Sequence, residues 1–327
     1  MLIKENNNKI ENIYISSCAE DGGIYQFKIK SDNTLEQASF TALDRPMYTI
    51  INNNRLYAIL RAPFNNSSNS GITSFVINKD GALSSQSETV STMGDVACHL
   101  CVDNNNIYAV NYISGSICLL PDKLVTHKGS SIHETRQDAS HMHFVTVSPD
   151  DKYIIATDLG ADKIYIYDKA LNYINSASAT LGSGPRHLAT SADGDLIYCA
   201  NELSSTVSVY KYNNGTLSLL GDYPALPSDF SGESTMAAIR RFGEYLYVSN
   251  RGHDSIVCFK INGDKLEYKS TTYCGGKSPR DFIIFDNTLI CTNEDDGTVC
   301  VFEIINHVEL NLKQKINIKN ALCVSIY

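Results

Sequence analysis

Residues 184–210 read GPRHLATSADGDLIYCANELSSTVSVY, and this stretch decides how the chain folds. Short apolar runs, PRHLAT, LIYCAN and TVSVY, are separated by the polar turn sequences SADG and ELSS. Runs rich in Val, Ile and Tyr between Asp-Gly-type turns are typical of antiparallel β-strands. The stretch therefore predicts three consecutive strands, with Arg186, His187 and Glu202 at the two ends of a strand pair. Charged residues are rarely fully buried unless they are paired, so these three are candidates for a functional role.

The pattern of this stretch recurs along the chain. Its second strand returns as NIYAVNY, YIIATDL, YLYVSNR and LICTNE, each followed by a strand such as DKIYIY or GTVCVF. Aligned strand ends lie 43 to 51 residues apart, at Leu60, Asn111, Asp158, Asn201, Asn250 and Asn293, and Ser17 lies 43 residues before Leu60. A repeat of this length with four short strands is typical of a β-propeller blade.

The two ends of the chain indicate how the repeats close. Seven groups of second, third and fourth strands can be counted, beginning with residues 13–40. The last innermost-strand phrase, ALCVSIY (321–327), has no group after it. We expect it to supply the inner strand of the first blade, because a closed ring leaves no open sheet edge. The prediction is an all-β, seven-bladed β-propeller in which residues 1–327 form a single domain.

Composition excludes several classes of function. A net charge of −9 with no cluster of Lys and Arg argues against a nucleic-acid partner. No segment approaches the roughly 18 consecutive apolar residues of a membrane helix, and the N-terminus lacks the features of a secretory signal. Several of the ten cysteines lie in apolar strands, as reduced thiols would. We therefore expect a cytoplasmic protein, monomeric or weakly dimeric, with neither a membrane nor a nucleic-acid partner.

Equivalent positions of the repeats form rings around the axis of a propeller. The inner-strand ring is expected to contain Tyr48, His99, His143, His187, Ala238, Asp281 and Cys323. The positions after the second strands are Cys18, Arg61, Tyr112, Leu159, Glu202, Arg251 and Glu294. The inner strand begins where the second strand ends, so both rings should meet at one mouth of the central channel. A polar cluster in such a cavity is a candidate binding site.

Several phrases carry a resemblance to a known family. They are HKGSSIHETRQ (127–137), HMHFVTVSPDDKYIIATDLGADKIYIY (141–167), the stretch quoted first, YLYVSNRGHDSIVCFKI (245–261) and SPRDFIIFDNTLICTNEDDGTVCVFEI (278–304). In this order the chain resembles the seven-bladed propeller lactonases, the 6-phosphogluconolactonase group related to carboxy-muconate cyclase. The resemblance implies hydrolysis of a small anionic sugar lactone, most simply 6-phospho-D-glucono-1,5-lactone of the pentose phosphate pathway. One departure is Ala237-Ala238-Ile239, where family members tend to carry Ala-Glu-Ile.

The same resemblance implies a catalytic site made of His143, Arg186, Glu202 and Arg251. Further candidates for substrate contacts are His99, Arg136, His187, Asn201 and Arg280. Lactone hydrolysis needs a base to activate water, and either Glu202 or His143 could serve. Arg186 and Arg251 would stabilise the oxyanion or hold a phosphate, which a planar guanidinium matches in bidentate fashion.

Other functions stay open at this point. We expect no cofactor and no metal, although His141 and His143, or Asp158, Asn201 and Glu202, could supply ligands for a divalent cation. A muconate-type cycloisomerase would use the same fold and the same mouth. A non-enzymatic interaction propeller is the third alternative, but the scaffold propellers often carry a Trp-Asp dipeptide in each blade and this chain has no Trp. No serine-hydrolase elbow, P-loop or dinucleotide fingerprint is present.

Overall fold

The computed structural model describes residues 10–61 and 67–327. Its 29 strands form seven antiparallel sheets, the blades, numbered here from the N-terminus. This confirms the predicted all-β, seven-bladed fold. No helix within the described ranges has the length and apolar composition needed to cross a membrane.

The strands of the first three blades are as follows. Blade 1 contains β1 (Asn12–Ser17), β2 (Gly23–Ile29) and β3 (Leu35–Ala42). Blade 2 contains β4 (Pro46–Asn52), β5 (Arg55–Leu60), β6 (Gly71–Ile77), β7 (Leu83–Ser84) and β8 (Val90–Ser91). Blade 3 contains β9 (Ala97–Asp103), β10 (Asn106–Asn111), β11 (Ser116–Leu119) and β12 (Lys123–Thr126).

The remaining strands follow the same order. Blade 4 contains β13 (Met142–Val147), β14 (Tyr153–Asp158), β15 (Lys163–Asp168) and β16 (Tyr173–Ser178). Blade 5 contains β17 (Pro185–Thr190), β18 (Leu196–Asn201), β19 (Thr206–Asn213) and β20 (Thr216–Pro224). Blade 6 contains β21 (Thr235–Phe242), β22 (Tyr245–Arg251), β23 (Ser255–Asn262) and β24 (Lys265–Tyr273). Blade 7 contains β25 (Pro279–Phe285), β26 (Thr288–Asn293), β27 (Thr298–Ile305) and β28 (Glu309–Asn317), and β29 (Ala321–Ile326) ends the chain.

Burial falls from the inside of each blade to its outside. In blade 5, β17 and β18 are each buried at five of their six positions, whereas in β20 only Leu217 is buried. Inner strands are covered by the neighbouring blades on both faces, which explains their nearly continuous apolar sequences. The outer strands face solvent on at least one side and are correspondingly polar.

The ring closes through the two ends of the chain. β29 pairs antiparallel with β1, with Ile15 opposite Val324, and the backbone N–H of Asn12 donates to the carbonyl of Tyr327 (3.0 Å). An apolar cluster joins Ile13 and Ile15 of blade 1 to Ile290 and Val299 of blade 7. The predicted closure by the C-terminal strand is therefore confirmed.

Blade 2 departs from the four-strand pattern at its outer edge. Two strands of two residues each, β7 and β8, both pair with β6. The hydroxyl of Ser87, between these two strands, accepts a hydrogen bond from the backbone N–H of Ser74 (2.9 Å). A side chain thus replaces part of the ladder that a continuous fourth strand would supply.

Each inner strand has a β-bulge at the same end, and these bulges determine which side chains reach the mouth. Pro185 pairs with Asn201 and His187 with Ala200, so Arg186 has no partner on β18. The residues skipped in this way in the other single-residue bulges are Met47, Cys98, His143, Arg280 and Leu322. In blade 6 two residues, Ala237 and Ala238, lie opposite Ser249. A bulge re-aims the extra side chain, and here it does so at the open end of the channel.

Candidate active site

The bulges correct one part of the predicted ring. The constant spacing of 44 residues grouped His143 with His99 and His187, but His143 is the bulged residue of β13 and corresponds to Arg186 of β17. The position equivalent to His99 and His187 is occupied by Phe144, which pairs with Thr157. The physical reason is that loop lengths vary between blades, so equal spacing does not guarantee equal register. His143 therefore lies one position closer to the mouth than predicted.

Glu202 is the centre of a cluster of cationic side chains. It directly follows β18 and is 3% exposed. Its Oε2 accepts a hydrogen bond from Nε of Arg186 (2.8 Å) and lies 3.1 Å from Nη2 of Arg251. Its Oε1 accepts from Nη2 of Arg136, and Nε2 of His143 lies 3.9 Å from Oε2. One carboxylate is thus surrounded by three guanidinium groups and an imidazole contributed by blades 4, 5 and 6 and a loop.

The three arginines differ in how far they are available to a ligand. The side chain of Arg186 is 3% exposed, and its Nη1 donates to the carbonyl of Ala237 (2.7 Å). The side chain of Arg251 is 15% exposed, and among the described residues its Nε has no hydrogen-bond partner. Arg136 is the most open, with 38% of its side chain exposed. Arg186 therefore supports the cluster from below, and Arg251 and Arg136 present N–H groups to the channel.

Arg136 reaches the cluster from the loop between β12 and β13. Gln137 is fully buried, and its side-chain amide donates to the carbonyl of Leu159 (2.9 Å). The phenol oxygen of Tyr112 lies 3.5 Å from Nη2 of Arg136. Tyr112 was placed in the mouth ring by the sequence but was not among the predicted contacts. The available signal was that Tyr112 belongs to the same ring of positions as Glu202 and Arg251.

Burial and charge have opposite effects on the groups of the cluster. Burial alone would raise the pKa of Glu202, but Arg251 and Arg186 outweigh it and hold that pKa well below its ordinary value. Burial, reinforced by the charge of Arg186, lowers the pKa of His143 well below its ordinary value. At neutral pH Glu202 is ionised and a weak base, whereas His143 is neutral. Nδ1 of His143 is buried and has no hydrogen-bond partner within the described chain.

His99 and His187 lie one layer deeper in the channel. Nδ1 of His99 accepts from the backbone N–H of Val145 (3.4 Å), so Nε2 carries the proton and donates to the hydroxyl of Tyr48 (3.0 Å). The His187 ring lies 5.4 Å from that of His99 and 5.6 Å from that of His143, measured between centroids. Burial lowers the pKa of both His99 and His187. The two histidines form an aromatic floor under the cluster, of which only His187 borders His143.

Asn201 and Arg280 lie apart from the Glu202 cluster in different ways. The Asn201 amide donates to the hydroxyls of Thr206 (2.9 Å) and Ser208 (2.7 Å), so it joins strands of its own blade. Arg280 occupies the bulge of β25, at the same level as Arg186, and its Nη1 donates to Oε2 of Glu294 (2.7 Å). Arg280 therefore faces the mouth, and Asn201 has a structural hydrogen-bonding role.

The candidate metal ligands named from the sequence do not converge. Asp158 accepts from the hydroxyl of Ser140 (2.6 Å) and from the backbone N–H of His141 (2.8 Å), and thereby fixes the loop before β13. The ring of His141 stacks on Tyr112 at 4.5 Å. Within residues 10–61 and 67–327, no group of three His, Cys, Asp or Glu side chains is arranged to hold a metal ion.

Comparisons with known proteins agree with this architecture. A family model described as "Lactonase, 7-bladed beta-propeller" matches residues 12–326. An uncharacterized protein of Staphylococcus epidermidis is 35% identical over 95% of this chain and 98% of its own length. A protein of Bacteroides fragilis, described provisionally as a 6-phosphogluconolactonase, has a crystal structure that is similar with a TM-score of 0.88 at 25% identity, covering 99% of this chain and 100% of that one. The periplasmic gluconolactonase of Pseudomonas aeruginosa has the same fold (TM-score 0.89, 24% identity, 97% and 99% covered).

Proposed function

Because the chain belongs to the seven-bladed β-propeller lactonase family, we propose that it hydrolyses a sugar lactone at the Glu202 cluster. The substrate we propose is 6-phospho-D-glucono-1,5-lactone, with 6-phosphogluconate as the product. With this substrate the reaction is a step of the pentose phosphate pathway. We further propose that the enzyme is cytoplasmic, acts as a monomer or weak homodimer and needs no cofactor.

The observation that carries the proposal is the charge of the mouth. Two carboxylates at the mouth, Glu202 and Glu294, form ion pairs with arginines. The guanidinium groups at the mouth number five and belong to Arg61, Arg136, Arg186, Arg251 and Arg280. The chain as a whole has a net charge of −9. A cationic funnel in an otherwise anionic protein attracts anions to the channel and away from the rest of the surface. This favours a phosphorylated substrate over a neutral one.

The chemistry follows from the protonation states. His143 is neutral and can accept a proton from a water molecule while the water oxygen attacks the lactone carbonyl carbon. The carbonyl oxygen becomes an oxyanion, which the N–H groups of Arg251 and Arg136 stabilise. The bond between the carbonyl carbon and the ring oxygen then breaks, and the imidazolium returns the proton to that oxygen. The product is an open-chain acid with a hydroxyl group in place of the ring oxygen.

Glu202 has a different role in this scheme. Three guanidinium groups already contact its carboxylate oxygens. Its charge holds these arginines in one place and stabilises the imidazolium of His143 after proton transfer. The two candidates for the base are therefore separated by their surroundings: we assign proton transfer to His143 and the ordering of the guanidinium groups to Glu202.

The test is a direct assay of lactone hydrolysis, corrected for the spontaneous reaction. We expect turnover of 6-phosphogluconolactone and a loss of about 10²–10⁴-fold in kcat for His143→Gln. The matched control is His127→Gln, since His127 stacks on Tyr165 at 3.9 Å and contacts none of the cluster. Unchanged kcat in His143→Gln would overturn the assignment of the base. Turnover of a muconate-like diacid in place of any lactone would replace the proposal with a cycloisomerase, and absence of all turnover would favour an interaction propeller.

A further inference from the structure

A second cleft opens at the same mouth, on the side away from Glu202. It has a volume of about 370 Å³ and is lined by Cys18, Arg61, Glu294, Asp295, Asn320 and Leu322. We call it the far cleft. Cys18, Arg61 and Glu294 occupy in blades 1, 2 and 7 the position that Glu202 occupies in blade 5. The far cleft and the Glu202 cluster therefore face one another across one opening.

The charges of the far cleft are not balanced in pairs. Glu294 is matched by Arg280 at 2.7 Å. Asp295 is exposed, so solvent screens its charge. No carboxylate of the described residues lies within 4.0 Å of the Arg61 guanidinium. Arg61 is likewise exposed, and it lines a cleft large enough for a phosphate group without a protein counter-ion among those residues.

Arg280 connects the far cleft to the catalytic cluster. It is the bulged residue of β25, at the level of Arg186 and His143. Its charge acts on both sides: together with Arg61 it opposes the rise that burial causes in the pKa of Cys18, and together with Arg186 it contributes to the lowered pKa of His143. Blade 7, which carries Arg280, packs between blade 6, which carries Arg251, and blade 1, which carries Cys18.

From this arrangement we propose that the far cleft is the subsite for the anionic group at the end of the substrate remote from the lactone carbonyl, with Arg61 and Arg280 as its ligands. The inference rests on the proposed function, and it adds the position and the ligands of the phosphate monoester. Two guanidinium groups provide the paired N–H donors that a phosphate accepts in bidentate fashion. The subsite would thus determine the preference between phosphorylated and unphosphorylated sugar lactones.

The first experiment compares two substrates in two variants. For Arg61→Ala we expect the KM for 6-phosphogluconolactone to rise about tenfold, the expected effect of losing one hydrogen-bonded charge, with the KM for unphosphorylated gluconolactone unchanged. Lys319→Ala is the matched control, because it removes one positive charge beside the far cleft from a side chain that is 74% exposed. An equal change for both lactones, or none for either, would overturn the subsite.

The second experiment does not depend on turnover. Cys18 lines the far cleft and is half-buried, Cys101 is half-buried elsewhere, and the other eight cysteines are buried. We expect 6-phosphogluconate to slow alkylation of Cys18 several-fold, measured by peptide mass spectrometry, and gluconate to have no such effect. Cys101 in the same molecule serves as the internal control. Protection of Cys18 without any lactonase activity would support the anion site and overturn only the reaction, whereas unprotected Cys18 in an active enzyme would overturn the subsite.

Discussion

At the scale of single residues, Glu202 has more charged partners than any other of the residues that the structure describes. Three guanidinium groups contact its carboxylate, and the side chain is 4% exposed. An ionic group in such a place is expensive to bury, and removing its charge leaves the partners unmatched and repelling one another. Glu202 therefore contributes to the folded state as well as to the site.

We predict that Glu202→Gln lowers the free energy of unfolding by about 3–5 kcal/mol, the cost typical of breaking a buried ion pair. Urea denaturation followed by circular dichroism measures it. Glu303→Gln is the control, because Glu303 is about half exposed and has a single ion-pair partner, Lys313 at 3.3 Å, so its loss should be close to neutral. Equal stability of the two variants would mean that the three arginines do not depend on Glu202.

The pH dependence of the reaction follows from His143 and Glu202. Both have pKa values well below their ordinary ones, so both stay in their active, deprotonated forms as the pH falls through 6.5. We predict that kcat/KM, which reports the free enzyme, is constant from pH 7.5 to 6.5 and declines only at lower pH. An acid limb centred at or above pH 6.5 would contradict the burial of His143. NMR titration of the His143 ring checks the assignment independently.

The register of His143 shows what could be predicted about single residues. All four predicted catalytic residues lie in one cluster, yet the ring to which His143 was assigned was wrong. Counting back from the turns gives the correct alignment: the fifth residue before Ser148 of SPDD is His143, and the fifth before Ser191 of SADG is Arg186. Which arginine is open to ligand depends on side-chain packing across blades, and no pattern within one repeat encodes that packing.

At the scale of strands, the residue that ends each second strand is a structural element. The Asn250 amide donates to the carbonyl of Ala225 (2.8 Å), and that of Asn111 to the carbonyl of Thr92 (3.0 Å). Asn201 belongs to the same column and spans β18 and β19. The sequence showed this column clearly, but a recurrent polar residue can serve either a ligand or the fold, and only the hydrogen-bond partners distinguish the two.

For Asn201→Ala we predict a loss of stability of about 1–3 kcal/mol, because the hydroxyls of half-buried Thr206 and buried Ser208 lose a hydrogen-bond donor. The KM for lactone should not change, since the amide points into the blade. Thermal denaturation and steady-state kinetics on the same preparation test both statements. A raised KM with unchanged stability would restore Asn201 to the substrate contacts predicted from the sequence.

At the scale of the whole molecule, the fold was predictable because it repeats. The strand pattern of a blade occurs seven times in the sequence, so a strand that is hard to recognise in one blade can be identified from the other six. The unmatched phrase at residues 321–327 indicated closure, which the pairing of β29 with β1 confirms. The broken outer edge of blade 2 was not predictable, because two strands of two residues leave no pattern in the sequence. The single domain proposed for residues 1–327 stays a prediction.

We predict that deleting residues 318–327 leaves an aggregated or unfolded protein. Without β29, strand β1 presents a free edge, and the apolar faces of Ile13 and Ile15 lose part of their cover. Size-exclusion chromatography and circular dichroism distinguish the outcomes. A soluble, monomeric truncation with the spectrum of the full chain would mean that the other six blades hold the ring without this strand.

The position of β29 also governs how the protein can be made. The innermost strand of blade 1 is synthesised about three hundred residues after the strand with which it pairs. Blades 2 to 7 can therefore fold in order as they leave the ribosome. Blade 1 has only three strands during this time, and the edge of β1 that will pair with β29 is unpaired. Contacts of such long sequence separation form slowly, so the nascent chain passes through an open intermediate until β29 has been synthesised and paired.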